Sequence, residues 1–330
     1  MKKILTGDRT TGPLHLGHFV GTLQNRVKLQ HDYETYIMLA NVQALTDNFR
    51  DPTKVRKNIE EVILDYYAVG IDFDKATVFI QSEVPAIHEI FVYLANFISI
   101  QKASHNPTLK TELAQKGMES STPLGFFIYP THQAADITCV GADLVPVGKD
   151  QAPMVEDTAE IVSKFNSIYN CKVLTEPKPL YGIAKNLPGI DGSAKMSKSL
   201  ENCIYLDESA ETLKKKVMSM PTDPNRIHAT DPGIVEGNLV FIYHDIFNSN
   251  LDEVKDLKSR YQSGKVGDVE VKERLFFALN QILSPIREKR MEAFSQKKLL
   301  LEKVLHHSKQ VSKIASMTAY QMREVMKINF

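Results

Sequence analysis

The chain has 330 residues, 43% hydrophobic and 24% charged, enough to bury a sizeable core in two domains or in one with an insertion. No apolar run approaches the ~18 residues of a membrane span, and the opening MKKILTGDR is too briefly apolar for a signal peptide, so the expected compartment is the cytoplasm with no membrane partner. Forty Lys and Arg balance forty Asp and Glu, which excludes a field that binds polyanions indiscriminately; Cys139, Cys171 and Cys203 are too few and too scattered for a disulfide framework or a CxxC metal site, and read as free thiols.

In chain order, KKIL and TYIMLANV (35–42) read as buried strands, and Leu16, Phe19, Val20, Leu23 and Val27 recur between them at helical spacing, a β-α-β opening. Asp51-Pro52 forms an N-cap and first-turn pair, Val55, Ile59, Val62, Ile63 and Tyr66 continue one helical face, and Gly70 is placed to end it. TVFIQS (77–82) is a further strand. Residues from about 85 to 124 break the pattern with helical and lysine-bearing polar sequence, and read as an insertion between two halves of the sheet. The second half resumes with GFFIYP, then DLVPVG (143–148), then a helix bearing Thr158, Ile161, Val162 and Phe165. GIDGSAKMSKS is a loop by composition, and from about Asp207 only helical periodicity remains. The predicted fold is α/β: a Rossmann-like doubly wound parallel sheet over 1–205, with the 85–124 insertion and a loop at 189–203, followed by an all-helical domain over 206–330. Ligands belong at the carboxyl ends of the strands.

GPLHLGH (12–18) sets two histidines around a glycine where strand gives way to helix. A glycine there lets backbone approach a charged ligand, and the helix N-terminus offers N–H groups to phosphate. By themselves His15 and His18 could equally be half of a metal site or helix-surface residues. The pentapeptide KMSKS (195–199) adds two ammonium groups and two hydroxyls on a flexible loop, which alone could be a solvated basic turn. Together, in an α/β chain lacking GxGxxG and GxxxxGK[ST], the two elements point to a polyphosphate gripped from both sides.

HxGH followed by KMSKS is the paired signature of class I aminoacyl-tRNA synthetases. With QSEVPA, YPTHQAADI and LVPVGKDQ in order, the chain from Lys3 to about Ser199 resembles the tryptophanyl-tRNA synthetase family. The resemblance implies a ligase that activates L-tryptophan with ATP and Mg2+ and transfers it to tRNA(Trp), with no tightly bound protein metal. It implies ATP contacts from Arg9, Thr10, Thr11, His15, Gly17, His18, Gly148, Lys149, Asp150, Leu187, Lys195, Met196, Ser197, Lys198 and Ser199. Of these His15, His18, Lys195, Ser197 and Lys198 would assist the chemistry. Tyr129, Gln133, Asp136, Val145, Val147 and Gln151 would line the amino-acid site, with Asp136 accepting the indole N–H. An indole has one donor and no acceptor, so a pocket selecting it needs one acceptor among apolar walls, although Asp136 read alone is as easily a helix cap and Val145 and Val147 core.

Two departures mark a divergent bacterial branch: Gln133 stands where most bacterial members carry methionine, and GDRTTG stands for GIQPSG. For tRNA, the candidate contacts are Lys214, Lys215 and Lys216, then Arg287, Lys289 and Arg290, with Lys297 and Lys298 beyond; each cluster is otherwise simply the wet face of a helix. The 85–124 insertion resembles the segment that pairs subunits in this family, so a homodimer is expected, with Lys110 near the ATP. A tyrosyl-tRNA synthetase and a catalytically silent paralogue that binds tRNA or amino acid share parts of the pattern. The chain itself contains no tryptophan.

Overall fold

The computed structural model describes residues 1–117, 122–182 and 187–330, without the side chains of Gln115, Lys116 and Ser199. Five parallel strands, β1 (Lys3–Asp8), β2 (Glu34–Leu39), β3 (Ala76–Ile80), β4 (Leu144–Val147) and β5 (Lys178–Tyr181), lie in the order β3-β2-β1-β4-β5. The chain runs outward from β1 through β2 to β3, then returns to β4 and β5 on the other side of β1. That reversal opens a crevice at the carboxyl ends of β1 and β4, where doubly wound sheets bind ligands.

Alternation along the strands sends side chains to opposite faces and builds two cores. Ile37, Leu39, Val78 and Ile80 bury against the helix Pro52–Val69 and the 16–29 helical run, whereas Tyr36, Met38 and Phe79 bury against the helices Ala86–Leu94, Leu124–Cys139 and Ala152–Ile168. The helix Pro52–Val69 has the predicted bounds. The Asp51 carboxylate accepts the Lys54 N–H, Pro52 starts the first turn, and Gly70 closes it with φ of 101°, a conformation that costs a side-chain-bearing residue.

Two expectations are corrected, and one strand was not foreseen. GFFIYP is no part of the sheet: it lies in the helix Leu124–Cys139, which tolerates Pro130 inside it. A short apolar run does not by itself distinguish strand from buried helix. TYIMLANV is strand only to Leu39, because Asn41 already opens the helix Asn41–Asn48. KPLY, unremarked in the sequence, forms the edge strand β5, short and proline-bearing as edge strands often are.

Beyond 206, where residues 220–238 are irregular, the regular elements are helices: Ala210–Ser219, Leu239–Phe247, Leu251–Gln262, Asp268–Ser295 and Lys297–Met326. The last of these returns to the sheet. Val311, Ala315, Ala319 and Met322 join the core behind Phe79, and the helix lies along β3. At that edge the Ile80 N–H donates to Ser308 Oγ at 3.0 Å and the Val78 N–H to His307 Nδ1 at 3.3 Å. An exposed strand edge is thereby capped by side chains. Ser308 is buried and its hydroxyl donates a hydrogen bond to the Val304 carbonyl, so Ser308→Ala leaves the Ile80 N–H without a partner. The expected loss is about 1–3 kcal/mol in urea unfolding. An unchanged midpoint would show that the edge does not depend on this contact.

Candidate active site

The loop after β1 leads into a helix start capped by its own histidines. His15 is the N-cap: its Nδ1 accepts the Gly17 N–H at 3.1 Å, and His18 Nδ1 accepts the His15 N–H at 3.3 Å. Two imidazoles thus play the reciprocal parts that Ser and Glu usually take in a capping box. Because both Nδ1 atoms accept, each neutral ring carries its proton on Nε2. Gly17 is required by this arrangement, since a Cβ there would stand 2.9 Å from the His15 ring. One turn later the helix widens into a π-turn at Phe19–Leu23, with the Gln24 N–H reaching back to the Phe19 carbonyl.

The second element is pinned against the first by main chain. The Leu16 N–H donates to the Ile204 carbonyl at 2.9 Å and the Leu206 N–H to the Leu14 carbonyl at 3.1 Å, pairing His15 with Tyr205. Just upstream, the 189–203 loop folds around Asn202. Its Oδ1 accepts the Ser197 N–H at 2.7 Å, while its Nδ2 donates to Ser193 Oγ at 2.7 Å and Asp191 Oδ1 at 3.1 Å. Met196 is buried in the core, its N–H on the Leu187 carbonyl at 3.0 Å. The Lys198 ammonium then reaches across to the Gly12 carbonyl at 2.7 Å. Lys195 is exposed, and the Ser199 side chain lies outside the described residues.

Electrostatics follow from that convergence. Burial, with the charges of neighbouring groups such as Lys198, pushes His15 down to about 2 and His18 down to about 4. Both rings are therefore neutral N–H donors at physiological pH. Burial also pushes Lys198 down to about 8, against the pull of Asp8. Beneath them lies a cluster that sequence reasoning missed. Burial of Asp8 is outweighed by the Arg26 guanidinium, and the carboxyl is held well below the usual range. Arg26 grips both Asp8 oxygens and the Gly7 carbonyl, and Tyr66 donates to Asp8 Oδ2 at 2.7 Å. The signal available was GDRTTG itself, whose aspartate at a strand end calls for a partner.

The amino-acid side of the cleft is built around the helix Leu124–Cys139. Asp136 is 1% exposed; its Oδ1 accepts the Gln81 side-chain N–H at 2.8 Å, whereas its Oδ2 has no hydrogen-bond partner. Gln81, also missed, sits just past β3 and is fully buried. Its Oε1 accepts the Val42 and Gln43 N–H groups at the uncapped start of the helix Asn41–Asn48, so it fixes that helix and Asp136 together. Tyr129 is buried on the same helix and donates to Glu112 at 2.9 Å. Arg9 pairs with Asp47 at 3.2 Å, and its charge is felt by the Tyr129 hydroxyl, which burial pushes up. Gln133 is half-buried one turn from Tyr129; Val145 is buried and Val147 half-buried at the end of β4. Beyond them Gly148 admits the Asp150 carboxylate, whose Oδ1 would lie 2.6 Å from any Cβ there, and Gln151 Nε2 donates to that carboxylate at 3.4 Å. Lys149 and Asp150 are exposed, as is Lys110 on the helix Pro107–Lys116. Thr10 is buried with its hydroxyl unpartnered, and Thr11 is half-buried with its N–H on the Arg9 carbonyl at 2.9 Å.

Residues 1–284 match the family described as tRNA synthetases class I (W and Y). Over 334 residues the chain is 48% identical to the tryptophan–tRNA ligase of Streptococcus pneumoniae serotype 4, covering 99% of this chain and 98% of that one. The chain belongs to the tryptophanyl family of class I tRNA synthetases. The tryptophan–tRNA ligase of Clostridium longisporum is also 48% identical, over 331 residues, 99% of this chain and 97% of that one. Among solved structures, the tryptophanyl-tRNA synthetase of Campylobacter jejuni complexed with ADP and tryptophan has a TM-score of 0.86 at 29% identity, covering 98% of this chain and 99% of that one.

In this synthetase most of the basic residues read as tRNA contacts also make polar contacts within the chain. Lys215 pairs with Glu211 at 2.7 Å, Lys216 donates to Glu208 and to the Cys203 carbonyl, Lys214 lies 3.8 Å from Glu273, and Lys297 pairs with Glu60. Arg287 donates to the Glu208 carbonyl at 3.1 Å. Arg290 is part of the scaffold: it donates to Asp65 at 2.8 Å and to Glu61, while Asp65 accepts the Leu14 N–H at 2.9 Å. Lys289 and Lys298 are exposed. Arg290→Met strands the buried Asp65 carboxylate and is expected to cost about 3–5 kcal/mol in denaturant unfolding. Adding Asp65→Asn, which keeps an acceptor for Leu14 and removes the charge, recovers most of that loss; no recovery would mean that Arg290 acts by packing.

Proposed function

We propose that this chain is a tryptophan–tRNA ligase whose two reaction steps take place in the cleft between the histidine cap and the 189–203 loop, in the cytoplasm. The L-tryptophan carboxylate attacks the α-phosphate of ATP, forming tryptophanyl-adenylate and releasing pyrophosphate. The terminal adenosine hydroxyl of tRNA(Trp) then attacks the adenylate carbonyl, and AMP leaves. The observation that carries this reading is the Lys198 ammonium lying on the Gly12 carbonyl, inside the histidine-bearing loop. It brings an ammonium and two neutral imidazole donors to one place, where negative charge builds on transferring phosphoryl groups.

In this reading no protein nucleophile is needed, and positioning carries the rate. His15 and His18 donate from Nε2 to phosphate oxygens; Lys195, Ser197 and Lys198 hold the triphosphate, whose Mg2+ travels with the nucleotide as part of the substrate. Arg9, Thr10, Thr11, Gly17 and Ser199 contact the phosphates, and Gly148, Lys149, Asp150, Leu187 and Met196 the nucleoside. Asp136 Oδ2, buried without a partner, accepts the indole N–H. Tyr129, Gln133, Val145, Val147 and Gln151 line the rest of the amino-acid site. Residues 206–330 face the tRNA. A second copy covers Val92, Ile100 and Leu124, which are 59%, 80% and 71% exposed on and beside the 85–124 segment; sedimentation as a single 37.2 kDa chain would remove that pairing.

Pyrophosphate exchange into ATP, run with each amino acid in turn, tests the reaction: tryptophan alone is expected to support it. Exchange with tyrosine would reassign the substrate, and none would reject the activity. Lys198 adds a pH signature. Its ammonium loses its proton near pH 8 in the free protein, and a triphosphate favours the charged form, so ATP binding takes up a proton above that pH. The KM for ATP is flat below pH 8 and rises by up to about tenfold per pH unit above it. In Lys198→Arg, which stays charged, the rise disappears. A profile identical in both proteins would exclude Lys198 from triphosphate binding.

A further inference from the structure

Two histidines outside the phosphate-handling elements lie behind the Asp136 carboxylate. His132 is one helical turn before Asp136, with Nδ1 3.7 Å from Asp136 Oδ2. Its other nitrogen, Nε2, is 3.0 Å from Nδ1 of His88 on the neighbouring helix Ala86–Leu94, and the Phe91 ring lies against it with centroids 5.3 Å apart. The carboxylate is thus held asymmetrically. Gln81 takes Oδ1 in a direct hydrogen bond, while Oδ2 faces an imidazole too distant to bond it and keeps its acceptor capacity.

We propose that His88 and His132 form a two-imidazole relay that orients Asp136 and sets the site's preference for a substrate bearing an N–H donor. The relay rests on the reading of Asp136 as the indole acceptor. His132 is a positioning residue here. Its Nδ1–H keeps Oδ2 turned toward the side from which the indole approaches, and His88 fixes that tautomer by donating its own Nδ1–H to His132 Nε2. The charged or titratable groups acting on His132 are Asp136 and His88. Burial pulls His132 down, but the negative charge of Asp136 outweighs it and holds the ring above its ordinary value; His88 is held below its own by burial and by His132. An isolated His-Asp pair at this spacing on a helix surface is commonplace. This one differs because the carboxylate is sealed from water and lacks a partner on the very oxygen the histidine faces.

The test compares tryptophan with 3-(3-benzothienyl)alanine, which has nearly the same shape with sulfur in place of the N–H. Because the protein contains no tryptophan, ligand fluorescence reports tryptophan binding directly, and the analogue is measured by competition. His132→Leu is expected to weaken tryptophan about tenfold, the scale on which a ligating group loses affinity when its orienting partner is removed, with analogue binding and the KM for ATP unchanged. His132→Asn, which keeps a donor near the Nδ1 position, restores most of the preference. His88→Ala, at a more exposed ring that leaves folding intact, lowers it about threefold, as expected for an outer partner of a ligand-orienting group. Equal loss for both ligands in His132→Leu, or an unchanged preference in both His132→Leu and His88→Ala, overturns the relay. Asp136→Ala separates the two levels: if it leaves the preference for tryptophan intact, the indole-acceptor reading fails; if it abolishes the preference while the histidine variants do not, only the relay fails.

Discussion

Two main-chain hydrogen bonds, from Leu16 to the Ile204 carbonyl and from Leu206 to the Leu14 carbonyl, hold the segment after KMSKS alongside the start of the first helix. Side-chain chemistry in the cleft depends on that short antiparallel pairing. It brings Met196 into the core, sets the Asn202-centred turn that shapes the loop, and delivers Lys198 to the Gly12 carbonyl. Because the contact is made by backbone, it constrains position without dictating which side chains project from it. Lys198 can therefore sit on a loop and still reach the segment that carries the two histidines.

The charge arrangement follows from burial. Two cations and two imidazoles brought close together would repel if all were protonated, and desolvation resolves this by keeping both rings neutral. The two rings then keep an N–H donor each without adding to the local positive charge. The Asp8–Arg26–Tyr66 cluster underneath supplies a paired, water-excluded floor, and each of its polar partners is tied to the last residues of β1. The aspartate of GDRTTG is accounted for by that cluster, as half of a buried ion pair.

Although the regular structure of the chain after 206 is all helix, it does not stand apart from the sheet. Ser308 and His307 cap the outer edge of β3, and Arg290 reaches Asp65, which holds the Leu14 N–H one residue before His15. A displacement of the helix Asp268–Ser295 is thereby connected, through one guanidinium and one carboxylate, to the loop that presents the histidines. Residues that look like a basic tRNA-facing cluster in the sequence are in part the struts of this connection.

Sequence alone determined what depends on neighbours within one or two helical turns, or on motif chemistry: the Asp51-Pro52 start and Gly70 stop of a helix, the face formed by Thr158, Ile161, Val162 and Phe165, the glycine between two histidines, and the pairing of HxGH with KMSKS that placed the chain in its family. GFFIYP escaped that logic because a six-residue apolar run satisfies strand and buried helix alike, and β5 because an edge strand four residues long carries little alternation. Only the tertiary structure decided which partners distant segments would supply. Gln81 to Asp136, His88 to His132, Arg26 to Asp8 and Arg290 to Asp65 each join residues far apart in the chain. Nothing in the local sequence of a buried polar side chain names its partner: burial requires that one exist, and the crossing of sheet and helices chooses which.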